Sequence, residues 1–318
     1  MHSTRVLFLD QFGDDNLDAV RHAFPSVSFR EILTRNLMRD DLTWATVAAG
    51  WDPAKTALEM PNVEWVHYYT AGVDHGASAI ARLPATTRLT NSRGAYDDAL
   101  TEHLLALGFA LTRRIDVAVR AMTDARWGDT GEPNDVRGMT VGVVGLGSIG
   151  SRYAAVMHGL GARVLGWKRR PIDPPDGVES VCYGPDGLDE IVGQSDLVAI
   201  CLPGTDETRR LFDAARIARI KPGATLLNIG RGYIVDTDAL VAALESGHLA
   251  GAGLDVTDPE PLPGDSPLWS MDNVVITPHT GGRSRHGSRL RKEVFVRNLH
   301  AFLEGDTMPG TVDGTRGY

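Results

Sequence analysis

Apolar and polar positions alternate in blocks along the chain. In the first hundred residues the short apolar runs RVLFLD, WATVAAGW, VEWVHYYT and RLTN are separated by polar or helix-patterned segments, the rhythm of a βα domain. The texture changes at Asp98. The stretch DALTEHLLALGFALTRRIDVAVR spaces apolar residues at helical intervals without proline and predicts one long helix; DARWGDTGEPNDVRG after it is a turn-rich connector. A second βα series follows, with strands predicted in TVGVVGLG, RVLGWK, SDLVAICLP, GATLLNIG, GAGLDV and NVVITPH. These runs are mostly apolar on both faces, as in parallel strands covered by helices on each side. A last helix, SRLRKEVFVRNLHAFLEG, is predicted to pack back on the first domain. PIDPPDG is most simply a surface loop, and there is no internal repeat.

At 318 residues the chain exceeds the usual size of one domain, so two are expected. With 42% apolar and 23% charged residues its composition is that of a soluble globular protein. A net charge of −9 argues against a nucleic-acid partner, which needs clustered cations. No uncharged apolar run is long enough for a membrane span, and MHSTRVLFLDQFGDD is too polar for a signal segment. Cys182 and Cys201 have neither metal-ligand nor redox spacing and are read as structural, which fits a reducing compartment and a cytoplasmic location.

VGVVGLGSIG places Gly145, Gly147 and Gly150 in G-x-G-x-x-G spacing, after an apolar strand and before the helical SRYAAVMHGLG. In that context the first glycine allows the tight turn, the second lets backbone approach a pyrophosphate, and the third lets helix and strand pack closely. Such sites usually carry an acid about 20 positions further on that holds the ribose hydroxyls. Here VLGWKRRP brings Trp167, Lys168, Arg169 and Arg170 to that place. A carboxylate would repel a 2′-phosphate, whereas these cations attract it. The prediction is NADP(H) ahead of NAD(H), with Arg169 as the principal contact, Arg170 second, and Lys168 the least important because its ammonium swings to solvent.

Six segments together resemble the D-isomer-specific 2-hydroxyacid dehydrogenase family over nearly the whole chain: YYTAGVDHG, NSRGAYDDALTEH, GLGSIG, NIGRGYIVD, LDVTDPEPLP and NVVITPHTGG. The resemblance implies an α/β fold of two Rossmann-like domains with doubly wound parallel sheets and the active site in the interdomain cleft. The domains are then residues 1–98 plus 287–318, substrate-binding and flavodoxin-like, and residues 99–286, dinucleotide-binding. It further implies a catalytic set of Arg231, Glu260 and His279. Arg231 has the planar fork to clamp a carboxylate and polarise a carbonyl. His279 has the acid/base chemistry to exchange the proton, and Glu260, meeting its far nitrogen, fixes the tautomer and favours the imidazolium. Ala71, Gly72 and Val73 offer backbone N–H groups to the substrate carboxylate. The cofactor contacts implied are Gly145, Leu146, Gly147, Ser148, Ile149, Gly150, Trp167, Lys168, Arg169, Arg170, Leu202, Pro203, Thr208, Ile229, Asp255, His279 and Gly281, with Asp255 near the nicotinamide amide.

The sequence departs from the family at two places: Lys168 stands where NAD-using members carry Asp, and Arg93 where many carry Pro or an apolar residue. Glu260 with Pro278 and His279 argues against the formate-oxidising branch. The function expected is reversible NADPH-dependent reduction of a small 2-oxo acid of the glyoxylate or hydroxypyruvate class to the D-2-hydroxy acid. The alternatives are a nucleotide-sensing, corepressor-like interaction protein and a phosphite-type dehydrogenase. The apolar excess around ALTEHLLALGFALTRR, with the resemblance, predicts a homodimer; no nucleic acid, membrane or metal partner is expected.

Overall fold

The structure, a computed structural model, describes residues 3–12 and 14–313. The chain divides into two compact units, Met1–Tyr96 with Ser284–Tyr318, and Asp97–Arg283. Each is built on one all-parallel sheet.

The first unit holds β1 (Arg5–Phe8), β2 (Ser28–Glu31), β3 (Val47–Gly50), β4 (Trp65–Tyr68) and β5 (Arg88–Asn91), in the order β2-β1-β3-β4-β5. Side chains alternate across a strand, and two cores result. Val6, Phe8, Val47, Ala49 and Trp65 face one way, packed with Phe295 and Leu299 of the C-terminal helix Arg285–Glu304. Leu7, Ala48, Val66 and Tyr68 face the other way. Trp65 stacks on Phe295 with centroids 5.4 Å apart, and Phe8 meets the same ring edge-on at 5.0 Å. The helix starts where the Ser284 side chain accepts the Gly287 N–H at 2.8 Å and ends at Gly305, whose φ of 78° suits glycine.

The second unit holds β6 (Thr140–Val144), β7 (Arg163–Trp167), β8 (Ser180–Cys182), β9 (Leu197–Ile200), β10 (Ala224–Asn228), β11 (Leu249–Leu254) and β12 (Val274–Ile276). The order β12-β11-β10-β9-β6-β7-β8 is the Rossmann order with one more strand on the long side. Here too alternate residues divide between two cores: Val141, Val143, Leu197, Ala199 and Leu227 on one face, and Val144, Val198, Ile200, Leu226 and Leu254 on the other.

Two expectations are corrected. The single long helix is two, Asp97–Thr112 and Ile115–Thr123, broken at Arg114 with φ 58°. The connector causes the break: Asn134 N–H donates to the Thr112 carbonyl at 2.8 Å and Arg114 Nε to the Thr130 carbonyl at 3.1 Å. The apolar excess of the first helix is also largely spent inside the unit, where Leu104, Leu107 and Leu111 are core residues. The exposed apolar positions fall instead on the second helix and just beyond it, at Ile115, Val119, Met122 and Trp127. Among the described residues no helix is long and apolar enough to cross a membrane.

One buried polar chain in the first unit has a fixed direction. Trp65 Nε1–H donates to Thr90 Oγ1 at 2.8 Å, and the Thr90 hydroxyl is left to donate to His67 Nδ1, also at 2.8 Å. His67 Nε2–H then donates to Ser92 Oγ at 3.3 Å, and Ser92 to the Tyr68 carbonyl at 3.1 Å. Every member is satisfied only while His67 is neutral. Burial lowers its pKa from 6.5 to about 3, so between those values the unfolded chain binds a proton that the folded chain refuses. The contribution of this neutral, hydrogen-bonded ring to stability is therefore fully present above pH 6.5 and is lost progressively as the pH falls toward 3. Imidazole chemical shifts of His67 are expected to stay constant between pH 7.5 and 5 while the denaturation midpoint declines; a His67 ring that titrates near 6.5 in the folded protein contradicts this.

Candidate active site

Both sheets are parallel, so all strands of a unit end at one edge, where ligands of such sheets bind at the point of reversal in strand order. In the second unit that point lies between β6 and β9. Gly145, with φ 108°, leaves β6 there; a Cβ on it would lie 2.7 Å from the Cys201 carbonyl oxygen, just past β9. A Cβ on Gly150 would lie 2.1 Å from the Gly145 carbonyl oxygen, so this glycine lets the helix Ser148–Gly159 close on the turn. A Cβ on Gly147 would meet no protein atom within 4 Å. Its need for glycine is then set by whatever approaches from outside, and the loop fits a pyrophosphate on the helix N-terminus. Of the other expected contacts in the loop, Leu146 is buried against Gly166, and Ser148 Oγ donates to Asp97 Oδ1 at 3.0 Å; Ile149 packs on the core.

The basic cluster begins at the end of β7. Trp167 is buried, its indole N–H donating to the Gly184 carbonyl at 2.8 Å, and its own carbonyl accepts the Gly145 N–H at 3.0 Å. The glycine loop and the cation cluster are thus joined through one residue. Lys168 is not swung to solvent, which corrects the expectation: its ammonium donates to the Leu146 carbonyl at 2.8 Å. Arg169 forms an ion pair with Glu207 at 2.5 Å, and Arg170 is exposed. Leu202 and Ile229 are buried at strand ends. Thr208 closes its own turn, its hydroxyl donating to the Pro203 carbonyl at 2.8 Å and accepting the Thr205 N–H at 2.9 Å.

Arg231 follows β10. The Asn228 side chain holds its turn from both sides, accepting the Gly230 N–H at 3.0 Å and donating to the Arg231 carbonyl at 2.9 Å. A Cβ on Gly232 would fall 1.8 Å from the Thr257 carbonyl oxygen, so only glycine lets this turn pass β11's exit loop. His279 follows β12 and meets Glu260 directly, Nδ1 to Oε1 at 2.6 Å, both side chains nearly half exposed. Nδ1 therefore carries hydrogen toward the carboxylate, and Nε2 is the atom left to exchange a proton.

His279 has φ 51°, a conformation that costs a non-glycine residue energy and must be imposed by its surroundings. Asp255, 2% exposed at the end of β11, imposes it. Its Oδ1 accepts the Thr277 hydroxyl at 2.6 Å and the Thr280 N–H at 2.9 Å, its Oδ2 accepts the Gly281 N–H at 3.0 Å, and its carbonyl accepts the His279 N–H at 2.9 Å. Because the Thr277 hydroxyl hydrogen goes to Asp255, its oxygen accepts from His103 Nε2–H at 2.8 Å. His103 Nε2 also lies 3.3 Å from Asp255 Oδ1. Burial pushes the Asp255 carboxyl up, but the bonds from His103, Thr277, Gly281 and Thr280 outweigh it and hold the group below the usual value. Sequence reasoning missed Asn228, Thr277 and His103; the visible signal was a histidine in the apolar helical run TEHLL.

In the first unit, Ala71, Gly72 and Val73 follow β4. Asn91 Nδ2 donates to the Ala71 carbonyl at 2.6 Å and Thr70 Oγ1 to the Gly72 carbonyl at 2.6 Å. The N–H groups of residues 71–73 donate to no acceptor among the described residues, an arrangement suited to an anion. Arg93 is exposed at the end of β5.

The family described as "D-isomer specific 2-hydroxyacid dehydrogenase, NAD binding domain" matches residues 105–281. A glyoxylate reductase of Thermofilum pendens is 34% identical over 89% of this chain and 84% of its own length. A D-isomer specific 2-hydroxyacid dehydrogenase from Xanthobacter autotrophicus Py2, solved with NADPH and MES, is 33% identical with a TM-score of 0.86, covering 99% of this chain and 100% of that one. An NADPH-dependent glyoxylate/hydroxypyruvate reductase from Sinorhizobium meliloti, solved with NADP and sulfate, is 26% identical with a TM-score of 0.85 over 99% of this chain and 100% of that one. With its glycine loop, its two parallel sheets and the match across more than half its length, the chain belongs to the D-isomer specific 2-hydroxyacid dehydrogenase family.

Proposed function

We propose that the protein is a cytoplasmic, NADPH-dependent reductase of small 2-oxo acids of the glyoxylate or hydroxypyruvate class, forming the D-2-hydroxy acid. The observation that carries this reading is the His279–Glu260 pair at 2.6 Å, on the same sheet edge as Arg231 and the glycine loop. In this reading Asp97–Arg283 is the dinucleotide-binding unit and Met1–Tyr96 with Ser284–Tyr318 the substrate-binding unit. The dinucleotide, when bound, supplies the hydride for reduction. Arg231 clamps the substrate carboxylate and polarises its carbonyl, the Ala71–Val73 amides hold the carboxylate, and His279 Nε2 gives its proton to the developing alkoxide. Asp255, with its oxygens already engaged, keeps the 277–281 turn in shape. Lys168 on the glycine-loop carbonyl and Arg169 beside it form the seat for a 2′-phosphate. The relatives' names support the substrate class, and the two NADP-bound structures support the cofactor.

Replacing His279 by Ala is expected to lower kcat by roughly 10²–10⁴-fold with NADPH affinity nearly intact, whereas Arg231→Ala harms kcat and KM together. Near-full activity of the His279 variant in steady-state kinetics would remove it from the mechanism.

The kcat/KM for NADPH is expected to exceed that for NADH by about tenfold or more, since one charge-assisted hydrogen bond to the 2′-phosphate is worth at least ~1.4 kcal/mol. Lys168→Asp with Arg169→Gln should reduce that ratio and recover NADH use, and 0.5 M salt should narrow it. Equal use of both cofactors by the native protein contradicts the assignment.

A homodimer is the assembly that the exposed face at Ile115, Val119 and Met122 supports, since solvated helices seldom present such a row. Sedimentation is expected to give twice the chain mass of 34.3 kDa; a single-chain mass at micromolar concentration excludes the dimer.

A further inference from the structure

The first unit has its own point of reversal, between β1 and β3, where its sheet should offer a ligand crevice. Asp10 follows β1 and Trp51 follows β3, and the Trp51 N–H donates to Asp10 Oδ2 at 2.9 Å. Trp51 is also bound to both ends of the loop that contains Ala71–Val73. Its ring meets Tyr69 edge-on at 5.9 Å, and its carbonyl accepts His75 Nε2–H at 2.9 Å.

Arg291, from the helix Arg285–Glu304, completes this wall. Its guanidinium carbon lies 5.2 Å from the Trp51 ring centroid and 5.6 Å from that of Tyr96, while the Tyr96 hydroxyl donates to the Tyr69 carbonyl at 2.6 Å. One Nη of Arg291 donates to Ser288 Oγ at 3.0 Å. No Asp or Glu among the described residues is within the 4.0 Å of an ion pair with it. Two acids at this sheet edge hold main-chain groups: Asp10 accepts the Trp51 N–H, and Glu31 accepts the Phe12 N–H at 2.6 Å. A half-buried guanidinium held by aromatic rings, with no carboxylate partner, is a preset fork of donors suited to an oxygen-bearing ligand group.

We propose that Arg291, with Trp51 beside it, is the subsite for the substituent on the third carbon of the 2-oxo acid, and that it selects hydrogen-bond-accepting substituents, hydroxyl or carboxylate, over aliphatic ones. The assignment rests on the reading that the Ala71–Val73 amides hold the substrate carboxylate. The wall adjoining that loop is then where the remainder of the substrate extends. Trp51 limits its bulk, and Arg291 reads its polarity. The same wall gives an aliphatic third-carbon substituent no compensation for desolvating the guanidinium, which is how a site built for a polar group rejects an apolar analogue.

Steady-state kinetics with NADPH test this on the full-length native protein and on Arg291→Met and Arg291→Lys. The substrates are glyoxylate, which has no third carbon, 2-oxobutyrate, hydroxypyruvate and oxaloacetate. For Arg291→Met the kcat/KM ratios of hydroxypyruvate and of oxaloacetate over glyoxylate are expected to fall by about tenfold or more, chiefly through KM, and the preference over 2-oxobutyrate to shrink. Arg291→Lys should restore part of the oxaloacetate ratio, because it keeps the charge but not the fork. Ratios unchanged in Arg291→Met, or equal losses for all four substrates, overturn the subsite and leave the reductase standing. A native protein that reduces none of the four overturns the proposed function, and the subsite with it.

Discussion

A carboxylate withdrawn almost wholly from water has to be matched by donors, and the Asp255 side chain is where the second unit meets this demand. Two main-chain N–H groups and the Thr277 hydroxyl supply them, with His103 completing the set. Leaving any of these unmade would cost on the order of 1–3 kcal/mol, so the turn from Thr277 to Gly281 is wrapped tightly around the carboxylate. The wrapping forces His279 into a left-handed backbone conformation and sets the direction of its ring toward Glu260. It also explains why position 281 is glycine: a Cβ there would stand 2.8 Å from both Asp255 Oδ2 and the His103 ring. The strain at one residue is held by a network that engages its backbone, while its imidazole is left to Glu260.

The same economy of position appears at the other strand ends. Because every strand in each sheet runs the same way, residues far apart in sequence reach one edge without long loops. Arg231 follows β10, Asp255 follows β11 and His279 follows β12. The glycine loop follows β6 and is tied through the Trp167 carbonyl to the start of the basic cluster after β7. In the first unit the equivalent edge presents the unengaged amides after β4, with Trp51 after β3 beside them. The core alternation behind each strand, one face to each hydrophobic layer, keeps these ends in register.

Much of this was legible from the sequence. Strands buried on both faces write continuous apolar runs, and the six predicted in the second unit and the four predicted in the first are all strands among the described residues. The two that escaped, Ser28–Glu31 and Ser180–Cys182, are short edge strands with partly exposed side chains, so they carry no such run. The glycine loop was readable because each glycine answers a steric demand, whereas the break at Arg114 depends on hydrogen bonds from a connector that periodicity does not register. Lys168 was recognised as a cation in the place of an acid; its tether to the Leu146 carbonyl is a tertiary contact. His103 looked like one more residue of an apolar helix, and its bond to Thr277 spans 174 positions. Arg291 is likewise unmarked in its helix until Trp51 and Tyr96 are seen beside it.

The proposed function is tested most directly by whether the protein consumes NADPH when offered a small 2-oxo acid. The direct measurement is absorbance at 340 nm with purified protein, NADPH and hydroxypyruvate, followed by chiral analysis of the product. Stoichiometric NADPH oxidation with D-glycerate as the product is the result expected of an NADPH-dependent 2-oxo acid reductase. No oxidation above the substrate-free rate, with glyoxylate also inert, or formation of the L-enantiomer, would contradict it.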